Sequence, residues 1–526
     1  MYKEPVKNKT RELLLSSAVR DLTTERQSSF IIKTDEIEGI YRFIIETLVK
    51  YDFYDSDALS NEAYYANLYE FIEEYNDSNA SRKPSTLKVL FLCGPEPSND
   101  IKVLKKLGIK EKNIWAIESN SGNYREAIND ILKYNYNINI YNDKLSDFLK
   151  LNTVKFDIVY FDSCSVFSTS KKESIDSIVQ ILHSNCISSL SVLITNFSEI
   201  KDNEIYLSAE MASFYSSRYN DYPDFIKDTN LDPEHLAYED SYLKKVIESD
   251  IHEFYSDYIT RLILDLGRFL IPNTRAMSHK IILNEVLKKE EVKTTKNKAY
   301  KDPIKQLKKT PKNMEELFEQ LEDWDINQKC YPVYSFINKL PQMTGESSFT
   351  DYLKSLSFNS RKLGDLIPLS SKLNAIVEDH WSLINENYLV DFLGIWFDGK
   401  GGLFCDVPLP NLLINSHLGK LGHPIFPNTS KMKRYTYKAK ETTMYTDYFV
   451  LDDCIDYFEW FPSLGSTVEF FKDNRNQYLA RAILDRIGRT DLRSESNPFI
   501  FSSIVCFGES DLAFDGTIPE RSNITV

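Results

Sequence analysis

The chain has 526 residues, with 63 Lys and Arg against 78 Asp and Glu, so its formal net charge is -15. A hydrophobic fraction of 42 % and an aromatic fraction of 13 % exclude a disordered chain. The negative net charge excludes a protein that coats nucleic acid over its whole surface. At roughly 150 residues per domain, we expect two to four domains.

Residues 1–83 are predicted to form a helical N-terminal region, because apolar side chains recur there at helical spacing. Between positions 35 and 80, twelve acidic residues stand against two basic ones. We interpret this charge as solvated helix faces, and the alternative is a docking surface for a basic protein partner. The sequence has no signal-like segment and no apolar run of membrane-spanning length, so we expect a cytoplasmic protein without a membrane partner.

From residue 84 the pattern changes to short apolar runs that alternate with helical segments. The predicted strands are 87–93, 113–119, 138–143, 156–162 and 189–198. Continuous apolar strands separated by helices are typical of a parallel sheet covered on both faces. The sequence therefore predicts an α/β fold with a Rossmann-like, open, mostly parallel sheet, and we assign residues 84–290 to this domain.

The remaining chain is predicted to contain a linker and a further domain. Residues 288–313 hold ten Lys against three acidic residues, which favours a linker at 291–313. The alternative for this stretch is a contact with nucleic acid. Residues 314–526 are predicted to form an α+β C-terminal domain that selects a substrate or a protein partner. It includes strands within 432–453, and its aromatic side chains suit an interface.

Polar residues stand where the predicted strands end, which is where parallel sheets bind ligands. Gly94 follows the first strand and would let the backbone approach a ligand closely. Glu118 ends the second strand, where a carboxylate can accept hydrogen bonds from both hydroxyls of a ribose. Asp143 ends the third strand, within reach of a purine amine, and Asp162 ends the fourth.

These segments resemble the motifs of class I S-adenosylmethionine-dependent methyltransferases over about residues 84–200. The matching pieces are VLFLCGPEP, AIES, NDKLSDFL and FDIVYFDSC. The resemblance implies S-adenosylmethionine as cofactor, with Gly94 at its methionine end, Glu118 on its ribose and Asp143 on its adenine. It also implies that Asp162 is the catalytic residue, facing the transferred methyl group or orienting the acceptor.

The sequence departs from the family at two motifs. The first loop has Gly94 followed by Pro95 and Pro97, where the family usually has two or three glycines. The fourth motif reads DSCS and lacks the D/N-P-P-Y/F pattern of amino-group base methylases, which argues against a conventional adenine or N4-cytosine DNA methylase. Cys164 lacks a preceding proline, and we interpret it as a loop thiol. No metal site is predicted.

Two functions remain open at this point. The first is an S-adenosylmethionine-dependent methyltransferase of unknown acceptor. The alternative is a catalytically inactive methyltransferase-like scaffold in a larger protein complex, such as a nucleic-acid-related or bacterial antiviral defence assembly. Binding of the cofactor discriminates between them.

Overall fold

A computed structural model of the chain describes residues 5–50, 55–167, 173–184, 186–201, 207–215, 240–267, 425–454, 456 and 518–525. The predicted linker at 291–313 lies outside these residues, as does most of the region predicted as a C-terminal domain. The possible nucleic-acid contact at 288–313 therefore stays a prediction.

The described residues form one sheet of nine strands. They are β1 (Val89–Leu92), β2 (Ile114–Ile117), β3 (Asn139–Tyr141), β4 (Phe156–Asp162), β5 (Ile187–Ser198), β6 (Phe426–Pro427), β7 (Lys433–Ala439), β8 (Thr442–Asp452) and β9 (Arg521–Asn523). Their order is β3-β2-β1-β4-β5-β8-β7-β9, and β6 pairs with β8. The pairs among β1 to β5 are parallel, whereas β8 runs antiparallel to β5.

The predicted fold class is confirmed by this sheet. Each of the five predicted apolar runs contains one of the strands β1 to β5 or overlaps it almost completely. Strand order reverses between β2-β1 and β4-β5, so β1 and β4 flank a topological switch point. The carboxyl ends of β1, β2 and β4 therefore meet at the edge of the sheet where this fold class binds ligands.

The strands near the C-terminus complete this same sheet. The nine-residue ladder between β5 and β8 begins at Leu190 opposite Asp452 and ends at Ser198 opposite Met444. Strand β7 then pairs with β8, and β9 pairs with β7. The strands predicted within 432–453 are present. However, the boundary predicted at 314 would place β6 to β9 in a separate domain, whereas in the structure these strands belong to the same sheet as β1 to β5. Hydrophobic periodicity reports local structure and carries no information about pairing across 250 residues.

Helices pack on both faces of the sheet. They are α1 (Pro5–Leu22), α2 (Arg26–Ser29), α3 (Thr34–Lys50), α4 (Glu62–Ser78), α5 (Ser98–Lys106), α6 (Ser121–Tyr134), α7 (Leu145–Leu151), α8 (Glu173–His183), α9 (Leu207–Tyr215), α10 (Asp240–Ser249) and α11 (Ile251–Asp265). Helices α1, α5 and α6 share one apolar core with β1, β4 and β5. On the opposite face, α11 contacts β8 through Tyr255 against Tyr445 and Thr260 against Asp447.

The first helix belongs to the core of the sheet domain. Its apolar residues Leu14, Leu15, Ala18 and Leu22 are almost fully buried and pack in the same cluster as the strands. This burial fixes the helix against the sheet and determines where its first turns lie. Among the described helices, none is long and apolar enough to cross a membrane.

Candidate functional site

A cavity of about 630 Å³ opens at the carboxyl ends of β1, β2 and β4. Its volume falls within the roughly 300–1,000 Å³ of typical small-molecule sites. All four residues predicted from the sequence line it: Gly94, Glu118, Asp143 and Asp162. The structure thus brings together side chains that lie on four different strand-to-helix connections.

The loop after β1 contributes a bent backbone to the cavity. Gly94 has φ of +57°, a conformation that residues with a Cβ rarely adopt, and no atom lies within 4 Å of the place where its Cβ would be. The surrounding space is therefore open to a ligand. Pro95 and Pro97 follow and remove two N–H donors from this loop. Helix α5 begins at Ser98, whose N–H donates to Oδ2 of Asp130 at 2.8 Å.

Glu118 is held in a fixed position just beyond β2. Its Oε1 accepts a hydrogen bond from the N–H of Asn120 at 2.7 Å. Asn120 in turn caps α6, where its side chain accepts from the N–H groups of Gly122 and Asn123. Within the described part of the chain, Oε2 of Glu118 accepts no hydrogen bond, so this half-buried carboxylate keeps one oxygen for a ligand.

Asp143 is exposed on the loop between β3 and α7. Its Oδ1 accepts from the N–H of Lys144 at 2.8 Å. The neighbouring Asn142 donates to the carbonyl of Glu118 at 2.8 Å, which ties the two loops together. Asp143 and Glu118 therefore line adjacent parts of the cavity.

Asp162 lies at the end of β4 and is surrounded by donors. Its Oδ2 contacts Nζ of Lys7 at 3.0 Å. Its Oδ1 accepts from Nδ2 of Asn196 at 2.7 Å and from Sγ of Cys164 at 2.9 Å. Two distant parts of the chain and the neighbouring Cys164 thus converge on one carboxylate, which is only 8 % exposed.

The contacts between Asp162 and Lys7 determine the charge state of both side chains. Burial disfavours the ionised form of Asp162, but the Lys7 ammonium and the three hydrogen bonds outweigh it, so the pKa of Asp162 lies below its ordinary value. Burial also disfavours the charged form of Lys7, and the Asp162 carboxylate outweighs it, so the pKa of Lys7 is raised. Both groups are charged at neutral pH. Asp162 is consequently a weak base and a strong hydrogen-bond acceptor.

The strands near the C-terminus hold Asn196 in place. Its Oδ1 accepts from Thr446 on β8 at 2.7 Å, and its Nδ2 also contacts the hydroxyl of Tyr437 on β7 at 2.9 Å. These partners fix the orientation of the amide that donates to Asp162. Strands β7 and β8 therefore hold Asn196 in the orientation in which it donates to Asp162.

Cys164 projects into the same place. The residue has φ of +50°, and its Sγ also lies 3.0 Å from Nζ of Lys7. Desolvation inside the cavity and the neighbouring Asp162 carboxylate raise the pKa of Cys164 to about 12. The thiol is therefore neutral at pH 7, and a neutral thiol is a weak nucleophile.

Sequence reasoning missed two cations of the site, Lys7 and Arg11 on α1. Both line the cavity. Nε of Arg11 contacts Oδ1 of Asp100 on α5 at 2.5 Å, and the two side chains are 9 % and 7 % exposed. Burial raises the pKa of Asp100, and the guanidinium opposes that rise. The spacing of Lys7 and Arg11, four residues apart, shows that they share a helix face. Nothing in the sequence says which surface that face meets.

The described carboxylates near the C-terminus are held by groups of the protein itself. Asp447 contacts Nη1 of Arg521 at 2.7 Å, and Asp452 accepts from the backbone N–H groups of Ile31 and Cys454. In the described part of the chain, no group of three or more metal-ligating side chains is placed to hold an ion.

Comparisons with known proteins give partial matches to solved structures. No protein-family model matches the chain, and no curated protein matches it. An S-adenosylmethionine-dependent methyltransferase from Clostridium acetobutylicum is 16 % identical; the match covers 28 % of this chain and 54 % of that one, with a TM-score of 0.17. The plantazolicin methyltransferase BamL, solved with SAH, is 13 % identical; the match covers 40 % of this chain and 70 % of that one, with a TM-score of 0.18.

A third match is the plantazolicin methyltransferase BpumL in complex with SAH. It is 14 % identical, and the match covers 43 % of this chain and 78 % of that one, with a TM-score of 0.18. At these TM-scores the fold assignment of the present chain depends on its own strand order and pairing.

Proposed function

We propose that the protein is an S-adenosylmethionine-dependent methyltransferase. One observation carries the proposal: a single cavity at the switch point of a Rossmann-like sheet is lined by Gly94, Glu118, Asp143 and Asp162. Four residues suited to one nucleoside cofactor thus occur together at the place where this fold class binds ligands.

The residues present fit this cofactor. Glu118 keeps one carboxylate oxygen for the ribose hydroxyls, and Asp143 is exposed where it can accept from the adenine amine. Open space at Gly94 leaves room for the methionine end. When bound, the cofactor supplies a methyl group activated by its sulfonium. The chain would then contribute binding, orientation and electrostatics.

Asp162 orients the acceptor in this proposal. With its pKa below the ordinary value, the carboxylate stays ionised at neutral pH and removes protons poorly. It can still accept a hydrogen bond and fix a donor group of the acceptor beside the transferred methyl.

The test is calorimetric titration of the full chain with S-adenosylmethionine and S-adenosylhomocysteine. Wild type is expected to bind both. Glu118→Ala removes an ionised hydrogen-bond acceptor, and such bonds contribute about 1.5–3 kcal/mol, so affinity is expected to fall about 10- to 100-fold. Glu126→Ala, an exposed carboxylate on the adjoining helix α6, is the matched control and should bind like wild type.

The alternative is a scaffold that has lost its chemistry. Pro95 and Pro97 favour it, because they remove two backbone donors from the loop that usually contacts the cofactor. This alternative predicts no heat from wild type at millimolar concentrations of either ligand. That result would reject the methyltransferase proposal and leave a role in a larger protein complex.

A further inference from the structure

The loop between β1 and α5 offers few donors to an anion. Pro95 and Pro97 have no N–H, and the N–H of Ser98 is occupied by Asp130. Gly94 and Glu96 are the remaining loop residues before α5, and their N–H groups have no acceptor among the described residues. The loop therefore offers a bound carboxylate only these two N–H donors and no cation of its own.

Helix α1 brings two cations to this place. Arg11 lies against Asp100 in the first turn of α5, directly beyond the loop. Lys7, one turn earlier on the same face, lies against Asp162 at the end of β4. The helix therefore crosses the two loops that flank the switch point, and both cations line the cavity.

Arg11 keeps donors for a ligand. Its Nε is used by Asp100, and its Nη1 donates to Asn8 at 2.7 Å. Its Nη2 has no acceptor among the described residues. A guanidinium that already has a fixed orientation loses little freedom when it binds a carboxylate.

The two ion pairs have the pattern that an α-amino acid requires. Lys7 beside Asp162 and Arg11 beside Asp100 place two cations and two anions around one end of the cavity. A zwitterionic group can turn its carboxylate to the two cations and its ammonium toward Asp100, which leaves Asp162 for the acceptor. A purine or a ribose carries no pair of opposite charges that could bind to such an arrangement.

We propose that helix α1, through Arg11 and Lys7, binds the carboxylate of the amino-acid end of the cofactor in place of the proline-containing loop. This inference rests on the proposed function. It makes residues outside the 84–200 segment part of the cofactor site, and it assigns them to one chemical group of the ligand.

The test combines residue removal with ligand truncation. S-adenosylhomocysteine and 5′-methylthioadenosine share adenine, ribose and a thioether, but only the former carries the amino-acid end. Wild type should bind S-adenosylhomocysteine more tightly. Arg11→Gln and Lys7→Met should each lower the affinity for S-adenosylhomocysteine about 10- to 100-fold. The affinity for 5′-methylthioadenosine should change less than about threefold.

Two controls locate the effect. Arg20→Gln removes a half-exposed cation further along α1 and should leave both affinities unchanged. Glu118→Gln should lower the affinity for both ligands, because both contain the ribose. Thermal unfolding of each variant shows whether it is folded. If Arg11→Gln does not fold, the partly exposed Lys7→Met variant decides, since its side chain is 23 % exposed.

Three results would overturn the inference. If Arg11→Gln and Lys7→Met lower the affinity for both ligands equally, these cations only support the fold. Equal affinity of wild type for both ligands would mean that the amino-acid end is not recognised, while the proposed function would stand. Absence of binding of either ligand to wild type would reject the proposed function and this inference with it.

Discussion

Asp452 connects the N-terminal part of the chain to the sheet through hydrogen bonds. The effect of its ionisation on stability can be measured. The carboxylate lies at the end of β8, where its two oxygens accept from the N–H groups of Ile31 at 3.0 Å and Cys454 at 2.9 Å. The side chain is almost fully buried. Burial raises its pKa to about 7, Asp453 adds to the rise, and the two N–H donors oppose it. We therefore predict that Asp452 makes the stability of the protein dependent on pH.

The sign and size follow from the difference between the folded and unfolded pKa values. The ordinary value is 3.8 and the folded value is about 7, so the folded protein binds more protons than the unfolded chain in this window. The contribution of Asp452 to stability is full below pH 3.8 and is lost as the pH rises through 7. At about 1.4 kcal/mol per pH unit, the whole loss is about 4 kcal/mol, of which roughly 2.5 kcal/mol falls between pH 5 and pH 8.

The measurement is urea unfolding of wild type and Asp452→Asn across this range. Asparagine cannot ionise, so raising the pH from about 5 to about 8 should shift the difference in unfolding free energy by roughly 2.5 kcal/mol in favour of the variant. Loss of one acceptor adds a constant offset that does not change with pH. Asp147→Asn, on an exposed carboxylate, should follow the wild-type curve. Parallel curves for wild type and Asp452→Asn would refute the assigned pKa.

Three further outcomes are expected. Arg521→Met should lower the free energy of unfolding by about 3 kcal/mol in urea titrations, because it leaves the buried Asp447 without the guanidinium 2.7 Å away. Gly94→Ala should lower it by about 1 kcal/mol, since the positive φ of +57° disfavours a Cβ although no neighbour would clash. Asp162→Asn should lower the pKa of Cys164, which the carboxylate raises. Alkylation of the Cys164 peptide by iodoacetamide at neutral pH, followed by mass spectrometry, should then be faster than in wild type.

The part of the site that follows the strands could be predicted from the sequence. Apolar runs of strand length give the positions of β1 to β4, and in a parallel sheet the strand ends determine which loops meet. Glu118 and Asp143 can be identified in this way, because Glu118 directly follows β2 and Asp143 lies two residues beyond the end of β3. The same reasoning placed Gly94 and Asp162 on the cavity.

The rest of the site depends on packing between distant segments. Lys7 meets Asp162 because α1 buries its apolar stripe against the sheet, a docking geometry that no local pattern contains. Asn196 donates to Asp162 in an orientation set by Tyr437 and Thr446, about 250 residues further along. Helical periodicity predicts that Lys7 and Arg11 share a face, and only the tertiary structure shows what that face contacts.

The two ion pairs at the start of α1 are hard to explain by stability alone. Removing charges from water is unfavourable, and replacing a buried ion pair by apolar residues is often neutral or stabilising. In the second half of the helix, Leu14, Leu15 and Leu22 are at most 1 % exposed, beside one further ion pair between the buried Asp21 and Lys431. Burying side chains of this size contributes about 1.5–3 kcal/mol each, which is enough to fix the helix on the sheet. The charged first turns can therefore serve a ligand, which is the role that their position on the cavity favours.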